Sequence, residues 1–222
     1  MSASPYTGDV EAGGPADVRE LPGLTVSKLA VSEMSNNAYL LRDTATGEAL
    51  LIDAAAEPDA LRALIGDADL RTVVTTHGHW DHHRALPDVV EATGAVTVAH
   101  AADAPDLPVA VQRTVGHGDT VTVGGHTLEV VHLRGHTPGS IALVLRAGGD
   151  AGVHVFTGDS LFPGGVGNTQ DDADRFAALI DDVEERLFGT LPDETWVYPG
   201  HGKDTTIGAE RPHLAEWRAR GW

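Results

Sequence analysis

The chain of 222 residues contains no cysteine. Disulfides are excluded, and so is any thiolate acting as nucleophile or metal ligand. Basic residues are scarce: 15 Lys and Arg stand against 33 Asp and Glu, a net charge of −18. Nucleic-acid affinity rests on cations that neutralise phosphates, so no nucleic-acid partner is expected. No apolar run reaches the roughly 18 residues of a membrane span, so no membrane partner is expected either. The first 20 residues lack the basic start and apolar stretch of a signal peptide, which makes the cytoplasm the expected location. Aromatics are few at 5%. Glycine (26 residues) and histidine (12 residues) are plentiful.

The length suits one domain with a sizeable core. Residues 1–20, rich in Gly, Ala, Ser and Pro, read as a flexible leader, and 21–222 as the domain. Strands are expected at 24–31, 38–41 and 49–52, and a helix at 58–65, with Pro58 at its start and Gly66 past its end. A β-branched strand at 71–76 precedes a helix at 87–93 and a strand at 95–99. Residues 101–118 read as a Pro-rich loop. A hairpin follows around Gly124-Gly125, then strands at 141–145 and 153–156. Phe176, Leu179, Ile180, Val183 and Leu187 recur at helical spacing, so 172–188 reads as a helix packed on the core. A short strand at 195–198 and a partly helical tail at 206–220, reset at Pro212, complete a chain of α/β (α+β) class.

One stretch carries chemistry. Residues 77–83 read His-Gly-His-Trp-Asp-His-His. Four imidazoles and a carboxylate bury poorly unless something pairs them, and a divalent metal would. His77 and His79 are two apart, so in extended backbone both point to one ion, and Asp81 and His82 can reach a second beside it. Three further places repeat one design, an apolar strand followed by a His or Asp: His136, Asp159 and His201. Strand ends on one rim are where α/β proteins gather their chemistry.

These segments resemble the metallo-β-lactamase-fold hydrolase superfamily. The resemblance rests on His77-x-His79-x-Asp81-His82, Gly135-His136-Thr137-Pro138-Gly139-Ser140, Thr157-Gly158-Asp159-Ser160-Leu161-Phe162 and Pro199-Gly200-His201-Gly202, in order over residues 24–202. It implies a four-layer αββα sandwich with metals at one edge. It also implies that one ion takes His77, His79 and His136, that the other takes Asp81, His82 and His201, and that Asp159 bridges them. Two divalent ions are expected, zinc first and iron or manganese as alternatives. Asp81 and Asp159 become the catalytic carboxylates, around a bridging hydroxide as nucleophile. Asp159 and the lack of cysteine set the chain apart from the lactamase branches. The segment 200–210 is similar to small bacterial type II glyoxalases, the hydroxyacylglutathione hydrolases. The implied substrate is a small acyl-thiol or ester, and the implied reaction thioester hydrolysis. Two alternatives are a persulfide dioxygenase-like enzyme, with one iron on His77, His136 and Asp159, and a lactonase or other esterase.

Four substrate candidates remain. Trp80 reads first as core and second as a pocket wall. Asn168 and Thr169 either touch substrate or shape a Gly-rich loop, and Lys203 is a candidate contact for an anionic group. Asp53, closing a strand, is a candidate to hold the His-rich loop from behind. His83 reads as orienting a loop or facing solvent rather than as a ligand.

Overall fold

A computed structural model of the chain describes residues 6–221. Two β-sheets face each other. The first is seven-stranded: β1 (Asp17–Leu21), β2 (Leu24–Val31), β3 (Asn36–Asp43), β4 (Glu48–Ile52), β5 (Asp69–Val74), β6 (Val96–His100) and β7 (Arg113–Val115), side by side in chain order. Tight turns make β1 to β4 antiparallel. Helices α1 (Pro58–Ile65) and α2 (Leu86–Thr93) cross over to make β4, β5 and β6 parallel.

The second sheet holds β8 (Thr120–Val123), β9 (His126–His132), β10 (Ile141–Arg146), β11 (Val153–Gly158), β14 (Trp196–Pro199) and β15 (Thr205–Thr206). A two-stranded ribbon of β12 (Leu161–Phe162) and β13 (Gly165–Val166) follows β11. The clear helical repeat becomes α3 (Ala173–Val183), extended by a wider π turn over Glu184–Phe188. Asp172 caps it by accepting from the backbone N–H groups of Asp174 and Arg175, both at 3.0 Å. The tail folds as α4 (Ile207–Glu210) and α5 (Leu214–Arg220), with a single tight turn at Arg211–His213 around Pro212.

Strand alternation sorts the apolar residues into layers. On β3, Tyr39 and Leu41 face the second sheet, while Ala38 and Leu40 face the helices. On β10, Ile141, Leu143 and Leu145 face inward, and Ala142 and Val144 outward. The outer face of the first sheet is covered by Leu61 and Ile65 of α1 and by Leu86 and Val89 of α2. The outer face of the second is covered by Phe176, Leu179, Ile180 and Val183 of α3 and by Trp217 of α5. Both sheets are thus buried on two faces, which is why their strands read as near-continuous apolar runs. The result is the expected four-layer αββα sandwich. Among the described residues no helix is long and apolar enough to cross a membrane.

Two expectations change. The segment 101–118 contains β7, which pairs parallel with β6 and ends the first sheet. Of the leader expected over 1–20, residues 17–20 enter β1 and Tyr6 and Gly8 are tied to the fold, while residues 1–5 lie outside the described residues. The buried Lys28 explains the packing. Its ammonium donates to the carbonyls of Gly8 and Gly202, both at 2.7 Å, and pairs with Asp204 at 2.6 Å. A buried ammonium needs such acceptors, and the N-terminal segment supplies one of them. Arg19 stacks over Tyr6 at 4.2 Å and Trp196 at 3.8 Å, closing the same seam.

Candidate metal centre

The four strand-end motifs arrive at one rim. Beyond β5, Thr75 and Thr76 carry the chain to His77. His136 lies in the turn between β9 and β10, Asp159 directly follows β11, and His201 comes two residues after β14. Five imidazoles and two carboxylates converge. Three groups bring their ligand atoms within 4.8 Å of one another: His77, His79 and His136; Asp81, His82 and His201; and His77, His82 and Asp159. The first two are the trios the sequence suggested. Asp159 stands between them, with Oδ2 3.6 Å from His136 Nε2 and 3.5 Å from His201 Nε2.

Neighbouring groups set the tautomers. His82 Nδ1 is 2.9 Å from Asp53 Oδ2, His136 Nδ1 is 2.8 Å from the Asn168 carbonyl, and His201 Nδ1 is 2.9 Å from the Met34 carbonyl. These partners only accept, so each Nδ1 carries the proton. Thr76 Oγ1 donates to Asp53 Oδ2 and therefore accepts from His77 Nδ1, 3.0 Å away. The Nε2 atoms of His77, His82, His136 and His201 turn to one space. His82 and His201 approach to 3.1 Å there, and His77 and His136 to 3.3 Å. Lone pairs facing one another at these distances repel unless a cation lies among them. Asp159 Oδ1 is buried and has no hydrogen bond among the described residues. Imidazoles, carboxylates and an orphaned oxygen form a donor set that fits divalent metals.

The electrostatics divide the centre. Burial, helped by the charge on His82, holds His77 well below its ordinary pKa. Burial also lowers His79, and takes His136 to about 4. His82 behaves oppositely: burial works against its charge, yet Asp159 and Asp53 raise it to about 10. Asp159 likewise outweighs burial at His201 and raises it. Burial would raise the two carboxylates, but His82 beside them leaves both lowered.

Support comes from several elements. Asp53, left-handed at φ 58°, accepts from the Thr76 backbone N–H at 2.7 Å as well as from its hydroxyl. Asn36 donates to Asp81 Oδ2 at 3.0 Å and to its carbonyl at 3.1 Å. Buried Asp103 accepts from the backbone N–H of Gly78 at 2.8 Å and of Gly139 at 2.6 Å, tying the His77 loop to the His136 loop. Gly200 is needed for space, since a Cβ there would run into Asp159 Oδ1. Asn36 and Asp103 went unread in the sequence: neither adjoins a motif, and their partners are 45 and 25 to 36 residues away.

The other candidates separate. Trp80 is 56% exposed, so it does not belong to the core. The Asn168 side chain turns to the backbone N–H of Gln170 and its carbonyl serves His136, so it shapes the loop. Thr169 is buried beside it, its carbonyl accepting from the Asp172 N–H. Lys203 is exposed and pairs with Asp9 at 2.6 Å. His83 is buried with Nε2 3.2 Å from the Gly78 carbonyl, as a loop-orienting group would be. A cavity of about 360 Å³ opens beside His79 and His136, bounded by Asp106, Pro138 and Arg175.

The family model described as the metallo-beta-lactamase superfamily matches residues 31–201. The chain belongs to the metallo-beta-lactamase superfamily. Within it, a hydroxyacylglutathione hydrolase of Fuscovulum blasticum is 36% identical over 169 residues, covering 75% of this chain and 62% of that protein. The chain thus matches less than two thirds of that relative's length. The crystal structure of ETHE1 from Myxococcus xanthus superposes with a TM-score of 0.73 at 37% identity, over 87% of this chain and 84% of that one. TTHA1623, in a di-iron-bound form, superposes with a TM-score of 0.67 at 32% identity, over 83% of this chain and 96% of that one.

Proposed function

We propose that this member of the superfamily is a metal-dependent hydrolase of thioester-type bonds, with His77, His79 and His136 around one ion, Asp81, His82 and His201 around a second, and Asp159 between them. The observation that carries this reading is the set of Nε2 lone pairs turned to one space by fixed Nδ1 partners, with Asp159 in the middle. The relative named hydroxyacylglutathione hydrolase supports the reaction class, and the relative in a di-iron-bound form supports two ions. Bound there, two divalent ions would act as Lewis acids and bring the pKa of a water between them to roughly 7. Zinc is the proposed metal.

The chain's own groups do the rest. Asp81, held by Asn36, accepts a hydrogen bond from the attacking water and fixes its direction toward the acyl carbon. A C–O bond forms, the C–S bond breaks, and the thiol leaves as thiolate while the water proton passes to solvent through Asp81. A thiol of pKa about 8.5 needs little help from an acid to depart. This suits a centre in which the Nε2 atoms of His77, His82, His136 and His201 turn inward, where bound ions would occupy them. The small cavity beside His79 and His136 is the proposed seat of the acyl group.

A second reading has one observation behind it. His77, His136 and Asp159 alone form a compact set, with separations of 3.3, 3.6 and 4.0 Å, as a persulfide dioxygenase-like enzyme with one iron would use. Metal analysis of protein produced without added metal, beside assays of acyl-thiols, lactones and a glutathione persulfide, separates the two. About two ions per chain with thioester turnover is the expected result. One iron with oxygen uptake on the persulfide would overturn the hydrolase, and turnover of lactones alone would move it to the ester-cleaving alternative.

A further inference from the structure

On β2, Leu24 and Val26 face the second sheet, and Lys28 continues their row. Its side chain is 0% exposed, an ammonium in an otherwise apolar line. Burying a charged pair costs free energy, and apolar side chains of similar volume commonly pack as well or better. Stability alone therefore does not account for Lys28. What an apolar side chain cannot do is grip a backbone carbonyl.

The carbonyl that Lys28 grips belongs to the loop of His201. That loop runs from β14 to β15, with Gly200 and Gly202 on either side of His201 and Gly202 at φ 68°. Such backbone has little stiffness of its own, so its course is set by what holds it from outside. The Asn37 backbone N–H donates to the Gly200 carbonyl at 2.7 Å. Asn37 Nδ2 donates to the carbonyls of Pro199 at 2.9 Å and Gly202 at 3.0 Å, and the Tyr39 hydroxyl to Pro199 at 2.7 Å. Among these donors Lys28 alone is charged, and it reaches the Gly202 carbonyl at 2.7 Å and Asp204 at 2.6 Å. Hydrogen bonds of a charged donor are the stronger kind.

The N-terminal segment completes the enclosure. The Gly8 carbonyl accepts from Lys28 at 2.7 Å and from the Asp204 N–H at 3.2 Å. The Tyr6 hydroxyl donates to Asp204 Oδ2 at 2.7 Å, beside Trp196 Nε1 at the same distance. The N–H groups of Thr7 and Gly8 donate to Asp17 Oδ2 at 2.8 and 3.0 Å, which fastens the segment to β1. The His136 loop is held differently, by Asp103 and by the Arg175 guanidinium on the carbonyls of Gly135 and His136.

We infer that Lys28 is a positioning residue for His201 and that residues 6–8 are the strap that keeps it in place. The hold on an ion at Asp81, His82 and His201 then depends on the N-terminal segment, and the hold on an ion at His77, His79 and His136 does not. The inference rests on the two-ion reading for its consequence at the metals, while the effect on the loop is independent of any ion.

Titration of the metal-free protein with cobalt(II) tests it, followed through the hyperfine-shifted imidazole N–H signals that each trio gives separately. In Lys28→Met the affinity of the His201 trio falls about 10–100-fold, and that of the His136 trio changes by about twofold at most. Gly8→Ala, whose Cβ would run into the Asp204 carboxylate, gives the same split with a smaller factor and carries the test if Lys28→Met does not fold. Amide hydrogen exchange of the metal-free protein is the second readout. The N–H groups of Asn37 and Gly202, bonded to the carbonyls of Gly200 and Ser35, lose protection in both variants, while that of Gly139, held by Asp103, keeps it. Ile65→Ala, on α1 against the outer face of the first sheet, is the control: it lowers thermal stability without splitting the two affinities. Equal weakening of both trios, or unchanged exchange at Asn37 and Gly202, overturns the inference. A single cobalt per chain in the wild type overturns the two-ion reading instead, and the exchange data then decide the positioning role alone.

Discussion

The two histidine trios stand side by side yet are held in different ways. His77, His79 and His136 are backed by a hydroxyl and a backbone carbonyl, and all three are pushed toward the neutral state by burial. Asp81, His82 and His201 are backed by Asp53, Asn36 and the Met34 carbonyl, and both imidazoles are raised by the carboxylates around them. One trio offers neutral donors in a dry setting. The other contains Asp81 and has Asp53 and Asp159 against His82. Two trios that look alike by residue type therefore differ in charge, and the neighbours behind them make the difference.

The comparison can be broken most severely at Asp159, which among the described residues lies against both His136 and His201. Asp159→Ala is expected to lose metal and to cut turnover by roughly a hundredfold or more, the scale of losing a preorganised charge at a reacting centre. Wild-type turnover with full metal content would remove the bridge. Asp53→Ala sharpens the contrast instead. It strips His82 of its acceptor directly and reaches His77 only through Thr76. Metal affinity should fall by about 10–100-fold, with one ion leaving well before the other in a chelator competition. Two ions released together would show that the trios are not distinct.

A smaller effect comes from an imidazole outside the centre. His154 on β11 is buried, with Nε2 3.0 Å from the Ala151 carbonyl and Nδ1 accepting from the Tyr198 hydroxyl at 3.0 Å. Burial lowers its pKa to about 4. The unfolded state, titrating near 6.5, takes up the proton first. Its contribution to stability is therefore complete above pH 6.5 and lost as pH falls toward 4, on the order of 2–3 kcal/mol at most. Denaturant unfolding of the metal-free protein at several pH values should show that slope, and His154→Gln should flatten it. An unchanged slope in the variant would assign the acid sensitivity elsewhere. The smallest change is expected from His83→Ala: both ions retained and stability lower by about 1 kcal/mol, the value of one hydrogen bond. Loss of an ion would make His83 a ligand.

Elements with a local signal were readable from the sequence to within a residue or two. β2 and α1 fall where alternation, Pro58 and Gly66 put them, and His77, His136, Asp159 and His201 each follow the end of an apolar strand within a few residues. β7 gave no such signal, since its three residues earn their place only by pairing with β6. Residues 6–20 looked unanchored because their anchors, Lys28 and Asp204, lie far along the chain. Asn36 and Asp103 escaped for the same reason. Groups that act through distant partners leave no periodicity behind. Trp80 was misplaced because an aromatic inside a motif resembles core until the walls around it are known.

Anomalous scattering from crystals of the metal-loaded protein tests the central claim most directly. Two peaks about 3.5–4 Å apart are expected, one among His77, His79 and His136 and the other among Asp81, His82 and His201, with Asp159 reaching both. A single iron peak held by His77, His136 and Asp159, with nothing between Asp81 and His201, would contradict the account.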